Sequence, residues 1–335
     1  MKISAIVAAY NEEKNIRAML LSLVRQRLGP EDSLVEVVAV ASGCTDGTHD
    51  EVQAAAREDG RIRLLVQDAR LGKASAINAY LRERDLSADI IVLSSSDILL
   101  QPGCLQLMVD ALKQDPKVGM TGPRPVPTNP RETLLGHMVG TLWDLHHDLA
   151  MESPKLGEIT MMRASLVTPI PETTAVDEAS FEAQIIQQGY TLKYVPGAVV
   201  ANRGPTRVSE YLKQRRRIAA GHFWLKDTSG YAVSSMDTRR VGRLAMRRLS
   251  FSDPMADVAC VAAVAVEAVA RGLGYLDFKR NYSHAVWEVA STARQVVHEG
   301  EPEPAAAPAS PPVQSEGAKA TEAEGGAKGG EASHG

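Results

Sequence analysis

Short β-branched runs alternate with helical stretches through the first half of the chain, which predicts an α/β fold on a mostly parallel, doubly wound sheet. Two further observations complete the outline. From about residue 231 the apolar pattern is purely helical, so a C-terminal helical appendage is expected over 231–298. From Glu299 to Gly335 the composition turns to Pro, Ala, Glu, Gly and Ser without apolar periodicity, as in a disordered tail. The expected organisation is an α/β domain over 1–230, helices over 231–298 and a low-complexity tail over 299–335.

Each element follows from its pattern. Ile3 to Ala9, Glu36 to Ala41, Ile62 to Gln67 and Asp89 to Leu93 read as buried strands. Glu12 to Gln26, Asp50 to Asp59, Lys73 to Arg84 and Cys104 to Gln114 read as the helices between them. Further on, Leu192 to Val195 is strand-like, between a helix opened by Asp177-Glu178 and another that carries Gln214-Arg215-Arg216-Arg217. Ligands in such sheets sit outside the carboxyl ends of the strands. The loops there are Ala9-Tyr10-Asn11-Glu12, Ala41 to Thr48, and Ser94-Ser95-Ser96-Asp97. No G-x-G-x-x-G follows the first strand, which argues against a dinucleotide fold.

Composition narrows the functional classes. A formal net charge of −4 over 335 residues gives no global attraction for nucleic acid, and none is expected as a partner. Cys44, Cys104 and Cys260 are odd in number and lack metal-ligand spacing, which suits a reducing compartment, so a cytoplasmic location is expected. The first apolar run ends at Tyr10-Asn11-Glu12-Glu13, too soon for a cleavable signal peptide.

A carboxylate that takes a proton from a hydroxyl, together with fixed cations that stabilise a departing diphosphate, are the parts needed to move a sugar from a nucleotide donor. The acidic pair and the arginine cluster supply both. The ordered succession Ala-Tyr-Asn-Glu, Ser-Gly-Cys-Thr-Asp-Gly-Thr, Arg70-Leu71-Gly72-Lys73, Asp97, Asp177-Glu178 and Gln-Arg-Arg-Arg resembles the family-2 glycosyltransferases of the GT-A fold, from Lys2 to about Lys226. The last motif is similar to the Gln-x-x-Arg-Trp signature of polysaccharide synthases, with Ile218 in place of Trp.

This resemblance implies roles. Ala9, Tyr10 and Glu12 would line the base and ribose pocket; the alternative is a turn followed by a carboxylate favoured by a helix dipole. Ser42 stands where the family has an acidic base reader. Asp46 and Gly47 either touch the ligand or simply make a tight turn. Lys73, at a helix start, would face the diphosphate with the free backbone amides. Ser95-Ser96-Asp97 replaces the family's D-x-D, so Ser96 and Asp97 would meet the donor and Asp97 would hold Mg²⁺ or Mn²⁺ with the phosphates.

Glu178 matches the family's base, with Asp177 as support, although Thr174 to Asp177 also fits a capping box and either carboxylate suits a helix dipole. The base lies opposite the leaving nucleotide, so inversion follows. Gln214 and Arg217 share a helix face and reach one ligand, while Arg215 and Arg216 read as exposed. His222, one turn beyond Ile218, is a metal or phosphate ligand, or else a structural histidine. Lys155 and Glu158 fall on the acceptor side, where Lys155 would meet a phosphate. Without the Trp platform, processive synthesis of a polysaccharide is not supported.

The sequence therefore predicts an inverting, metal-dependent transferase acting on a nucleoside-diphosphate sugar and a glycan or lipid-linked acceptor. Nucleotidyl transfer onto a sugar phosphate, or a silent nucleotide- or membrane-binding scaffold, are the alternatives. Between Met255 and Leu276, Asp257, Glu267 and Arg271 share one arc and Val258, Ala262, Val266, Val269 and Leu273 the opposite one, which reads as an amphipathic helix rather than a span. Upstream, Arg239, Arg240, Arg243, Arg247 and Arg248 suit an anionic lipid surface on the cytoplasmic face; the alternative is that both helices pack on the α/β domain.

Overall fold

The computed structural model describes residues 1–286, and the tail expected from 299 lies outside the described residues. Strand β1 (Lys2–Ala9) is followed by α1 (Ile16–Val24), β2 (Ser33–Ser42), α2 (Thr48–Glu58), β3 (Ile62–Gln67), α3 (Lys73–Glu83) and β4 (Ile90–Ser94). This is the expected alternation. Helix α1 begins later than Glu12 because residues 12–15 form a turn, in which the Asn15 amide donates to the Glu12 carbonyl at 3.0 Å. Asn11, just before it, has φ 53°.

The chain continues with β5 (Ile98–Leu100), α4 (Cys104–Gln114), β6 (Val118–Pro127), α5 (Leu134–Glu152), β7 (Ile159–Arg163), α6 (Asp177–Gln187), β8 (Thr191–Asn202), α7 (Val208–Ser229), α8 (Thr238–Arg248) and α9 (Pro254–Lys279). The strand order is β3-β2-β1-β4-β7-β6-β8-β5. β1 runs parallel to β2 and β4, whereas β7 is antiparallel to β4 and β6, and β5 is antiparallel to β8. The sheet is thus mixed rather than doubly wound throughout. This has a consequence for the site: pairing of Ser94 with Ile159 brings the residue before β7, Glu158, to the carboxyl end of β4.

Alternation along β1 feeds two layers. Ile3, Ala5 and Val7 pack with Ile16, Met19 and Leu20 of α1, while Ile6 faces Ile77 and Tyr80 of α3 together with Phe181 and Ile185 of α6. Each buried aliphatic side chain contributes roughly 1.5–3 kcal/mol. Helix α6 starts at Asp177 without the expected capping box. Val176 is its N-cap, and the Thr174 hydroxyl instead accepts from the Val176 amide at 3.3 Å and bonds Ser180 Oγ at 3.0 Å.

Helices α8 and α9 pack on α5, through Leu145 and Leu149 against Leu244 and Cys260, and through Met138 and Val139 against Ala259 and Ala263. Gly274 lets α9 touch the α7 backbone, since a Cβ there would stand 2.7 Å from Arg216 O. The orientation of α9 corrects the expectation for it. Its charged residues Glu267 and Arg271 turn inward, and the expected apolar arc divides: Ala262 and Val266 pack against α5, whereas Val258 and Val269 are exposed. No helix among the described residues is long and apolar enough to cross a membrane.

Candidate active site

A cavity of about 1090 Å³ opens at the carboxyl ends of β1 and β4 and runs under α5, α7 and α9. It draws most of the expected site residues together: Tyr10, Glu12, Lys73, Ser96, Asp97, Lys155, Glu158, Asp177, Glu178, Gln214, Arg217 and His222 all line it. Ala9 and Ser42 line a smaller neighbouring recess with Tyr10 and Lys73.

The first loop is braced rather than loose. The Arg70 guanidinium lies 3.9 Å over the Tyr10 ring. Ser42 Oγ donates to Ala69 O at 3.2 Å and accepts from the Leu71 amide at 3.3 Å, so it fixes the loop leading to Lys73 and keeps one lone pair for a ligand. Asp46 accepts from the Thr48 amide at 3.1 Å and the Glu13 amide at 3.3 Å, which matches the turn alternative.

At the centre, Lys73 from the start of α3 meets the acidic pair at the start of α6. Its Nζ lies 2.8 Å from Asp177 Oδ2 and 2.8 Å from Glu178 Oε1. Burial would raise both carboxyls. For Glu178 the Lys73 ammonium prevails and holds it below the ordinary range, whereas Asp177, repelled by Glu178 as well, is pushed up to about 6. Arg217 adds a second cation: its Nη1 donates to Ala175 O at 3.4 Å, and its charge favours ionised Glu178. Gln214 lines the same cavity wall.

Glu158 joins this cluster. Its carbonyl accepts the Ser95 amide at 2.9 Å, and its carboxyl is pushed up to about 8 by burial and then by Asp97 and Glu178. Carboxylates crowded with this much negative charge suit a divalent cation, and Mg²⁺ or Mn²⁺ needs only one or two of them beside substrate phosphates. Asp97 and Glu158 therefore fit such an ion together with a diphosphate. No group of three or more His, Cys, Asp or Glu among the described residues could hold a metal alone. His222 is not brought into a metal cluster: it is buried, and burial followed by Lys155, Arg215 and Arg271 drives it well below its ordinary value. A cation would be repelled there.

Beside the expected acceptor-side residue Lys155, which lines the cavity, stands a group that the sequence reading passed over, Glu182. Lys155 is lowered by burial, with Glu182 the foremost opposing charge. Glu182 is fully buried, accepts from the Leu156 amide at 2.6 Å and the Tyr231 hydroxyl at 3.0 Å, and is pushed up to about 7 by burial. Its signal was there, one helical turn after Glu178. Arg215 is not solvated as expected, whereas the Arg216 side chain keeps 40% exposure. Arg215 pairs with Glu267 at 2.7 Å, Arg271 reaches the same carboxylate at 3.0 Å, and Arg216 takes Asp277. Although burial opposes it, Arg215 and then Arg271 hold Glu267 down to about 2. Ile218, in the place of the motif's Trp, packs with Val176, Ala179 and Leu225 and so fastens α7 to α6.

The family model described as Glycosyl transferase family 2 matches residues 4–156, and that described as Glycosyl transferase family group 2 matches residues 90–275. No curated protein sequence matches the chain significantly. Among solved structures, the mannosyltransferase PcManGT from Pyrobaculum calidifontis, in complex with GDP-Man and Mn²⁺, is similar with 24% identity and a TM-score of 0.55, covering 83% of this chain and 79% of that one. Glucosyl-3-phosphoglycerate synthase from Mycobacterium tuberculosis, with Mn²⁺, UDP and glucosyl-3-phosphoglycerate, has 20% identity and a TM-score of 0.47 over 68% of this chain and 80% of its own.

Proposed function

The chain belongs to the family-2 glycosyl transferases, and we propose that it moves a hexosyl group from a nucleoside-diphosphate sugar to a hydroxyl of a glycan or lipid-linked acceptor, with inversion. The observation that carries this reading is the Lys73 ammonium 2.8 Å from both Asp177 and Glu178. A proton acceptor and a phosphate-seeking cation share one cluster.

The base and ribose lie against Ala9, Tyr10, Glu12 and Ser42. Lys73, Gln214 and Arg217 receive the diphosphate, with Ser96 beside it. Mg²⁺ or Mn²⁺, when bound to Asp97 and Glu158, neutralises charge on the departing diphosphate. The acceptor oxygen bonds the anomeric carbon as the bond to the diphosphate oxygen breaks, and its proton passes to Glu178 while Asp177 supports that carboxylate. Donor diphosphate draws Lys73 away from Glu178, and the loss of that countercharge makes Glu178 a stronger base. Lys155 receives an anionic group of the acceptor, with Glu158 at the boundary between acceptor and donor. Residues 1–230 make up the catalytic domain, the appended helices follow from 231 within the described residues, and the chain works peripherally at the cytoplasmic face of a membrane.

Thermal unfolding against a panel of nucleotide sugars, with and without Mn²⁺, tests the reading. The expected result is a stabilisation selective for one donor class and dependent on the cation. No shift with any member of the panel would sink it.

A further inference from the structure

Helix α9 is built inside out for a helix surrounded by water. Its central charges face protein: Glu267 meets Arg215 and Arg271, and Asp277 meets Arg216. Its outer face carries Val258, Val261, Val269 and Leu276, and Val261 is 60% exposed. Ahead of it, Phe251 at the tip of the α8–α9 connection is 86% exposed and Met246 on α8 is 68% exposed. Phe251 is held out on purpose-built backbone, since the Asp257 carboxylate accepts both the Ser250 and Phe251 amides, at 3.0 and 2.9 Å, and Phe251 has φ 58°. A continuous apolar surface of this extent marks an interaction site rather than ordinary exposure.

The charges beside it select the occupant. Arg243 and Arg247, 51% and 64% exposed, share the one carboxylate of Glu152, which leaves an excess of positive charge along α8. Cys260 Sγ stands 3.7 Å from Ala245 O, locking α8 to α9 one residue from the exposed Met246 and Val261. The acidic residues of this segment are engaged: Asp253 accepts the Met255 and Ala256 amides, and Asp257, Glu267 and Asp277 are bound as described. Apolar side chains flanked by arginines match the boundary between headgroups and acyl chains. With no helix among the described residues able to span, the contact inferred here lies in the plane of the surface.

We infer that the outer face of α9, with Phe251 and Met246, seats this protein on an anionic lipid bilayer by shallow insertion. This surface deepens the membrane placement proposed above and rests on it, and it is independent of the transfer chemistry. The cavity wall includes Val264 and Ala268 of α9 and Val241 of α8, so a seated protein has its acceptor compartment adjoining the lipid.

Co-sedimentation of the full chain with phosphatidylcholine vesicles, with and without phosphatidylglycerol, tests the inference. The wild type should bind the mixed vesicles. Val258→Asp with Val261→Asp should weaken binding at least about tenfold, and Arg243→Gln with Arg247→Gln about tenfold in the mixed vesicles only. Circular dichroism and transfer to a water-soluble acceptor report that the variants fold and that their catalysis is unchanged. Wild-type protein that binds neither vesicle overturns both the placement and the surface. Binding that the aspartates leave untouched overturns the surface alone. A dimer in sedimentation velocity that the aspartates dissociate, without vesicle binding, assigns the face to a second copy instead. Absence of transfer with every donor would remove the enzymatic reading and leave the vesicle result standing.

Discussion

Lys73 Nζ stands 2.8 Å from Glu178 Oε1, joining residues 105 apart in sequence across the mouth of the cavity. The same ammonium is 2.8 Å from Asp177, so Lys73, with Arg217 nearby, balances both carboxylates. On the proposed reading a donor diphosphate competes for Lys73, and the charge state of Glu178 then depends on whether donor is present.

Glu178→Gln should lower turnover by about 10²–10⁴-fold, the range for losing a general base. Donor affinity, read by calorimetry, should stay nearly constant, because the base acts in the transition state. By contrast Arg217→Ala should weaken nucleoside diphosphate binding as well as turnover. Near-normal turnover in Glu178→Gln would move the base to Asp177 or elsewhere.

Lys73→Met should weaken donor binding and destabilise the free protein by about 3–5 kcal/mol, as expected when one partner of a buried ionic cluster is lost. It should also shift the pH profile. Glu178 is active when ionised, and Lys73 holds it below its ordinary value, so removing the ammonium raises it and moves the acid limb of kcat/KM to higher pH. An unmoved acid limb contradicts the pairing.

Asp97→Ala should abolish the gain in nucleoside diphosphate affinity that Mn²⁺ provides, while metal-free affinity changes little. Calorimetry with and without chelator separates the two quantities. Full retention of the Mn²⁺ effect would remove Asp97 from the cation's neighbourhood.

Glu182 links stability to pH. Burial pushes it from an ordinary 4.5 up to about 7, so between these values the folded chain holds a proton that the unfolded chain has released. Stability from this group therefore falls as pH rises through that window. Glu182→Gln should flatten this part of the thermal-unfolding profile, and an unchanged slope would exclude Glu182 as its source.

The sequence carried the local elements well where periodicity was strong: β3 (Ile62–Gln67) and α4 (Cys104–Gln114) match to the residue. It also named Lys73 and Glu178, but as separate helix-start residues. Their meeting depends on which strands neighbour each other, which no local pattern encodes. The arginine run misled for a related reason. Arg215 and Arg216 look solvated within α7, and only the crossing of α9 supplies Glu267 and Asp277. Periodicity showed that α9 is two-faced, yet it could not say which face is inside, because the charges that turn it inward belong to another helix. Glu158, expected on the acceptor side, reaches the carboxyl end of β4 beside Asp97 only through the antiparallel β7, a pairing that no local pattern in a mostly parallel sheet reveals.

Asp177, Glu178 and Glu182 all ride on α6, and this shared mounting acts as a ruler. A helix advances 1.5 Å per residue, so the proposed base Glu178 and the buried Glu182, whose charge acts on Lys155, are about 6 Å apart along the axis. Neither side-chain exchange nor loop motion alters that interval without unwinding the helix. With Glu178 as the proposed base, its reactivity and the pH response of Glu182 are carried on one rigid mount, and inserting one residue between Ala179 and Ser180 should disturb both by swinging one end of the ruler about 100° around the axis.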